Sequence, residues 1–381
     1  MSQSSPMINV TKTYLPPLEE YVRYLEGIWE SGQVTNNGPL VKELEARLKE
    51  YLGVKYLFFV SNGTIALQIA IKALGLNGEI ITTPFSYVAT TSSIVWEGCT
   101  PIFVDIDPET LNIDPDLIEA AITSRTTAIL AVHVYGHPCD VERIQAIADR
   151  HGLKVIYDAA HAFGVRYRDQ SLLVHGDIAT LSFHATKLFH TVEGGALVTN
   201  DDEIAQRIAY MRNFGHKGQE DFWGLGVNGK NSELHAAMGL AVLPRVPELI
   251  AGRKSVCEGY DQFLQGSRLV RPKMLGSTDY NYAYYPVLFA CENELLDARS
   301  ALNAQDIFPR RYFYPALSWL PYVTKKPLAF AEDSARRVLC LPLYPELGAD
   351  TISEITNTIL VAARNGGSED SSRHKTGTER L

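Results

Sequence analysis

Three short stretches hold residues whose types suggest shared chemistry: the turn Val60-Ser61-Asn62-Gly63-Thr64, Asp158 at the end of Lys154-Val155-Ile156-Tyr157, and Lys187 closing Ser182-Phe183-His184-Ala185-Thr186. The first joins an apolar run to the helical pattern of residues 65–74. A small, polar turn at a helix N-terminus leaves backbone N–H groups free at the positive end of the helix dipole, which suits a phosphate. It has neither the Gly-x-x-x-x-Gly-Lys spacing of a nucleotide-triphosphate loop nor GxGxxG. Asp158 lies where open α/β sheets bind ligands, at the C-terminal end of a strand. Buried there, it needs a cation or several donors to stay ionised; on its own it could equally cap a following helix. His161 follows it by three residues. Lys187 lies in a turn of small residues that leads to Glu193-Gly194-Gly195. Alone it reads as a solvated surface lysine; facing a cleft, desolvation and a nearby cation would make it a nucleophilic amine.

Together the three make a set that pyridoxal phosphate (PLP) requires. That cofactor needs a phosphate cradle, a carboxylate that keeps its pyridine nitrogen protonated, and a lysine for its Schiff base. No other common cofactor asks for the same combination.

The elements that must position these residues follow from the apolar pattern. Residues 56–60, 79–83, 101–105, 128–134, 154–158, 178–183 and 196–199 are strand-length runs rich in β-branched and aromatic residues. Helical stretches lie between several of them. Asp114-Pro115 is an N-cap and N1 pair for residues 116–122, and Asp140 opens a helix that closes on Gly152. Such alternation predicts an α/β fold with a mostly parallel sheet covered on both faces. After residue 240 the pattern changes to a long helix around 253–263, an aromatic strand within 280–289, the run 339–347 and a closing helix near 351–363. The expected division is a large α/β domain over 1–250 and a smaller C-terminal α+β domain over 251–364. Residues 365–381, Gly/Ser-rich and without apolar period, are expected to be a disordered tail.

Composition narrows the function classes. With 35 basic against 44 acidic residues and a net charge of −9, the chain offers no concentrated basic surface for nucleic acid. Its short basic clusters are Arg310-Arg311, Lys325-Lys326 and Arg336-Arg337, of which the first could serve a small anionic substrate. Five dispersed cysteines without a CxxC pair argue against a disulfide framework or a zinc site and predict buried, reduced thiols. No signal-peptide pattern opens the chain, and no apolar run approaches the ~20 residues of a membrane span. The expectation is a cytoplasmic protein with no membrane or nucleic-acid partner and no metal.

The chain resembles the DegT/DnrJ/StrS-type sugar-nucleotide aminotransferases, which are fold-type-I PLP enzymes, from about residue 30 to 360. The landmarks are Gly38-Pro39, residues 61–64, Pro84-Phe85-Ser86-Tyr87, residues 104–107, His133-Val134-Tyr135-Gly136, residues 158–162, residues 182–187, Glu193-Gly194-Gly195 and Gly226-Val227-Asn228. The resemblance implies that Lys187 carries the Schiff base and shuttles the substrate proton, and that Asp158 pairs with the pyridine nitrogen. It assigns the phosphate to Gly63, Thr64 and Ser182, ring stacking to Tyr87, and a place near the ring hydroxyl to His161, where many relatives have glutamine. Asn228 matches an asparagine that reaches the phosphate from a neighbouring subunit, implying a homodimer with shared sites. Lys230 is where a basic residue of relatives would fall. The loop Pro309–Pro315 resembles the lining of the sugar-nucleotide site, with Arg311 and Tyr314 as substrate residues; relatives often carry histidine where Ser318 stands. His184 and Glu193 are left without a chemical step.

The implied reaction moves an amino group, from glutamate, to a nucleotide-linked keto-deoxy sugar, with dTDP-4-amino-4,6-dideoxy-glucose as the best-fitting product and lipopolysaccharide O-antigen biosynthesis as its setting. Amination at C3 of a 3-keto sugar is the nearest rival. A sugar dehydratase of the same fold would have histidine in place of Lys187, and a non-catalytic regulatory homologue would have lost cofactor residues.

Overall fold

The computed structural model describes residues 7–373, with side-chain surroundings to 363. A seven-stranded sheet lies at its centre: β1 (Tyr56–Val60), β2 (Glu79–Thr82), β3 (Thr100–Phe103), β4 (Thr126–Val132), β5 (Lys154–Asp158), β6 (Ile178–Ser182) and β7 (Gly195–Thr199). These are the seven apolar runs of the sequence, with ends shifted by two residues or fewer. The spatial order is β1-β7-β6-β5-β4-β2-β3. Only β7 runs antiparallel to its neighbours.

The strands are apolar on both faces because both are covered. Successive residues point to opposite sides, so Ile81, Ala131, Val155 and Val198 join one core while Ile80, Leu130, Ile156 and Leu197 join the other. Eleven helices are described: α1 (Leu18–Ser31), α2 (Pro39–Leu52), α3 (Gly63–Ala73), α4 (Val88–Trp96), α5 (Val141–His151), α6 (Asp202–Met211), α7 (Glu233–Val242), α8 (Val246–Leu264), α9 (Glu292–Asn303), α10 (Ala329–Arg337) and α11 (Ala349–Arg373). Helices α2, α5 and α7 bury their apolar stripes in the first core, α3 and α6 in the second. As expected, α5 starts with the Asp140 carboxylate accepting the Arg143 N–H at 3.1 Å and stops at the left-handed Gly152. The helix expected after Asp114 is instead two single 3-10 turns, Pro115–Leu117 and Glu119–Ala121. Seven residues are too few to repay helix nucleation before the chain must extend into β4.

The second region has its own core, where Val256, Cys257 and Tyr260 of α8 meet Leu295, Ile355 and the antiparallel pair β8 (Tyr285–Leu288) and β9 (Val338–Leu341). Val246 and Leu249, about two to three turns earlier on α8, belong to the first core. The expected boundary at 250 therefore falls inside a continuous helix that links both regions. Residues 1–250 also do not all stay with the first region: Ile8–Asn9 pair in parallel with Ile307–Phe308. Helix α11 continues through 365–373, where a disordered tail was expected; buried Ile352, Ile355 and Ile359 anchor it, and each further residue adds one bond to an existing helix. The rest of that tail, 374–381, and the N-terminal residues 1–6 lie outside the described residues.

The run Glu233–Leu264 is long and apolar enough to cross a bilayer by composition. Its Ala236, Ala237, Leu240, Val242 and Val246 are buried in the protein's own interior, as in the core helix of a globular protein. Four cysteines are buried and free, but Cys291 is exposed.

Beyond β4, His133 stacks on Tyr157 with ring centroids 4.6 Å apart, and its Nδ1 accepts the Cys139 N–H at 3.1 Å. Burial pushes His133 down to about 3, and His137 down to about 4. An unfolded histidine binds its proton near pH 6.5, so the unfolded chain gains protons that the folded one refuses. Stability is thus complete above pH 6.5 and falls as pH drops toward 3. Melting temperature followed from pH 7 to 4 should decline, and His133→Asn should reduce the slope; an unchanged slope would remove His133 as a cause.

Candidate active site

Strand order brings the chemistry-bearing residues together. β7 lies between β1 and β6, so the end of β6 (Ser182), the start of β7 (Gly195) and the turn after β1 (Asn62-Gly63) are neighbours. A Cβ on Gly63 would stand 3.0 Å from the Ser182 Cβ, and a Cβ on Gly195 only 2.7 Å from the Gly63 nitrogen. The close approach presents the first amides of α3 and the Ser182 hydroxyl side by side. Asn62 caps the helix, its Oδ1 accepting the Ile65 N–H at 2.8 Å. The turn is held from behind: Ser61 N–H donates to the Gly229 carbonyl at 2.8 Å, and the Asn231 amide reaches the Glu193 carbonyl at 2.9 Å.

This turn forms one wall of a cavity of about 330 Å³ whose lining includes Gly63, Thr64, Tyr87, Asp158, His161, Ser182 and Lys187. Asp158 is buried at the end of β5, with β4 and β6 paired to either side. Burial raises its pKa, opposed by the Thr90 hydroxyl, the Ala160 N–H and the Lys187 charge. Thr90 donates to Oδ2 at 2.7 Å and Ala160 N–H to Oδ1 at 3.1 Å. No helix follows Asp158, so it caps nothing. No ion-pair partner lies within reach among the described residues. A carboxylate so placed suits a cationic group entering from the cavity.

Lys187 donates from Nζ to the Tyr284 hydroxyl at 3.4 Å. Burial lowers its pKa, and the negative charge of Asp158 opposes the shift. His161 stacks on Phe313, with centroids 5.6 Å apart and planes within 3°, and its Nδ1 accepts the Tyr135 N–H at 3.2 Å. Burial, aided by the Lys187 charge, holds it well below the ordinary histidine range. The ring is therefore neutral, with its proton on Nε2. Tyr87 stands exposed on the rim at the N-terminus of α4.

Asn228, Arg311 and Tyr314 do not line this cavity. Arg311 turns away from it: its guanidinium bonds Glu292 Oε1 at 2.6 Å and the Arg336 carbonyl at 3.1 Å, and lies 3.6 Å over the Tyr314 ring. Arg310 lines the cavity instead. Arg310 is held by its backbone pairing with Cys340, and a tight turn, in which Tyr312 N–H donates to the Arg310 carbonyl at 3.1 Å, carries Arg311 away from the cavity. Lys230 lies 4.5 Å over the Phe214 ring and donates to Asn228 Oδ1 at 2.8 Å. Sequence reasoning did not reach Thr90, Tyr284, Tyr312 or Phe313; only Tyr312 and Phe313 stood within a segment already marked for substrate.

The wall thus offers helix-end amides and a hydroxyl for a phosphate, an unpaired carboxylate for a cationic ring, and a lysine of reduced basicity for an aldehyde. These are the groups pyridoxal phosphate needs, and the residues fit it.

Comparison with known proteins agrees. The sequence profile of the DegT/DnrJ/EryC1/StrS aminotransferase family matches residues 18–360. A dTDP-4-amino-4,6-dideoxy-D-glucose transaminase of Shigella dysenteriae is 47% identical, over 92% of this chain and 98% of the relative. An Escherichia coli protein of the same name is 40% identical, over 93% and 98%. A crystal structure of DesI in the presence of its TDP-sugar product superposes with a TM-score of 0.90 at 33% identity, covering 98% of this chain and 96% of that one.

The Thr90 contact is testable without substrate. Thr90→Val removes a hydrogen bond to a buried carboxylate, a contact worth about 1.5–3 kcal/mol when one partner is charged. Cofactor affinity, measured by absorbance titration, should fall about tenfold or more; unchanged affinity would show that Thr90 does not support Asp158.

Proposed function

This chain belongs to the DegT/DnrJ/EryC1/StrS aminotransferase family, and from that premise we propose that it transfers the amino group of glutamate to C4 of dTDP-4-keto-6-deoxy-glucose. The products are 2-oxoglutarate and dTDP-4-amino-4,6-dideoxy-glucose. One observation carries the transamination reading: Lys187, Asp158 and the Gly63–Thr64 turn share one cavity. The sugar is supported by the shared name of two relatives that this chain matches almost end to end. Such a product fits the cytoplasmic supply of sugar nucleotides for surface polysaccharide, including lipopolysaccharide O-antigen.

Pyridoxal phosphate, the cofactor of this family, supplies the aldehyde that takes up the amino group and the electron-withdrawing ring that stabilises a carbanion on the substrate. The protein does the rest. The α3 amides, Thr64 and Ser182 anchor the phosphate at the positive helix end. Asp158, whose negative charge the Thr90 hydroxyl and the Ala160 N–H support against burial, would hold the ring nitrogen in its protonated form. His161 presents a fixed neutral ring whose Nε2–H can donate to the ring hydroxyl. Tyr87 covers the ring from the rim. Lys187 Nζ, made less basic by burial, is available both as nucleophile and as carrier of the proton from the amino-bearing carbon. Donor and acceptor use the same cavity in turn.

A second copy of the chain completes the site in this reading. Asn228 stands off its own cavity and follows exposed Leu225 and Val227, which share a groove with Trp96, 81% exposed. From a neighbouring subunit it would reach the phosphate. Mixing Lys187→Ala with Asn228→Ala protein tests this, since a hybrid dimer regains one intact site. With random exchange, activity should climb toward about a quarter of wild type; no recovery on mixing argues for sites built from one chain.

The substrate is tested by half-reactions. Amine-form enzyme mixed with dTDP-4-keto-6-deoxy-glucose should regain the visible absorbance of the lysine-linked cofactor, and more slowly with the 3-keto isomer. Lys187→Ala should show no such band. Faster return with the 3-keto sugar would overturn the C4 assignment.

A further inference from the structure

We infer that Arg310 binds the α-carboxylate of the amino donor, and so determines which compounds can load the enzyme with nitrogen. The inference rests on the aminotransferase reading and extends it to a residue which that reading leaves without a role.

Arg310 stands on the cavity wall with Lys187, Tyr284, Tyr312 and Phe313. Its main chain is fixed by two hydrogen bonds to the buried strand β9: Arg310 N–H donates to the Cys340 carbonyl at 3.1 Å, and Cys340 N–H donates to the Arg310 carbonyl at 2.8 Å. Cys340 is wholly buried, so the base of the side chain has little freedom. The guanidinium, in contrast, is uncommitted. Among the described residues it has no carboxylate within ion-pair distance and no side-chain hydrogen bond, whereas Arg311 next to it has both. Its nearest aromatic neighbour is the Tyr312 ring, 5.8 Å from the guanidinium carbon. Tyr312 feels the charges of both Arg310 and Lys187.

The remaining charges of the cavity define what this cation is for. The α3 end is matched to a phosphate and Asp158 to a cationic ring, while Lys187 is consumed by the covalent link. His161 is neutral. Glu193 also lines the cavity, 3.7 Å from His184, and among the described residues Arg310 is the one permanent cation on the wall free to meet a substrate anion. Both substrates are anionic, but their charges sit differently. An amino acid carries its carboxylate on the very carbon that loses the amino group, so this charge must enter the cavity with the reacting atom. A hexose linked through C1 keeps its diphosphate a ring's width away from C4, closer to solvent. An unpaired carboxylate inside the cavity is costly, and a planar guanidinium is the side chain that pairs with it in two parallel bonds. The donor half-reaction therefore needs this arginine more than the sugar half-reaction does.

The test separates the two. PLP-loaded wild type, Arg310→Gln and Arg310→Lys are mixed with L-glutamate, and loss of the visible band gives the rate of the donor half-reaction against concentration. Equilibrium binding of α-methyl-L-glutamate, which lacks the α-proton, is read in parallel by calorimetry. Amine-form enzymes are then mixed with the keto sugar nucleotide. Arg310 is itself exposed at the cavity mouth, so Arg310→Gln should weaken glutamate and its methyl analogue by about tenfold or more, the scale of a lost charge-assisted hydrogen bond. Arg310→Lys should recover part of that loss, because it restores charge without the fork. The loss should fall on the donor side more than on the sugar side. An equal or greater loss with the sugar nucleotide would hand the guanidinium to the diphosphate and overturn the assignment. So would unchanged glutamate binding in Arg310→Gln. If wild type reacts with the keto sugar but with no amino acid, the donor reading fails and takes the role of Arg310 with it. Cofactor affinity and melting temperature of the variants serve as the check on folding, since the backbone bonds to Cys340 survive either substitution.

Discussion

A carboxylate without a cation of its own is the constraint around which this site is arranged. Asp158 is buried at the end of the central strand of the sheet, where desolvation alone would favour the neutral acid. One hydroxyl and one backbone N–H hold part of its charge, and Lys187 contributes at longer range. The fold thus stops short of pairing Asp158 and leaves the balance to a ligand. The same carboxylate works on Lys187 in the opposite sense, since its negative charge partly offsets the burial that makes the lysine less basic. A protonated ring nitrogen seated on Asp158 would cancel that offset and leave Lys187 a weaker base. Charge at one end of the cavity thereby sets the readiness of the amine at the other.

Close packing, not flexibility, makes the phosphate end. Two glycines at strand and helix starts let three chain segments meet at distances where a Cβ would collide with backbone. Asn231 and Gly229 then tie the turn from outside. Their bonds run through the segment just after Asn228, so the residue assigned to a neighbouring subunit and the brace of the local turn share one piece of chain. Binding at a subunit interface would then be felt directly at the phosphate turn.

How much of this could be read from sequence depends on whether the signal was local. The seven strands were legible because each is an apolar run that stays apolar on both faces, and the residues that share the cavity were legible where each stands at a strand end or helix start with a distinctive neighbour. Thr90 was not: it lies within an ordinary helix, and only the packing of α4 over the end of β5 makes its hydroxyl a partner of Asp158. Tyr284 and Phe313 were hidden in an aromatic-rich region where most rings are core. That Arg310 and not Arg311 lines the cavity is a matter of local backbone geometry. The tight turn closed from Tyr312 N–H to the Arg310 carbonyl sends the two arginines different ways, and which of them faces the cavity is fixed by the Cys340 pairing, 30 residues away in sequence. The pairing of Ile8–Asn9 with Ile307–Phe308 is equally non-local. Helix α11 overran its expected end because a helix anchored by packing propagates through residues that would not start one.

The two regions divide the labour in a way that bears on specificity. Residues fitted to the cofactor come from the first region: Gly63, Thr64, Asp158, Ser182 and Lys187. The groups facing them across the cavity, Tyr284, Arg310, Tyr312 and Phe313, come from the second. Contacts between the halves run through backbone carbonyls and rings, as where the Tyr280 hydroxyl meets the Tyr135 carbonyl at 2.9 Å and the Asn281 amide meets the His161 carbonyl at 2.9 Å. Such contacts fix the distance between the walls with little dependence on which side chains face the cavity from the second one. Substitutions at Arg310 or Phe313 would therefore alter that facing wall, whereas Tyr312 also bears on the electrostatics of Lys187. The groups that suit the cofactor stand at the carboxyl ends of the sheet strands and in the turns beside them, with Arg310, Tyr312 and Phe313 facing them from the second region.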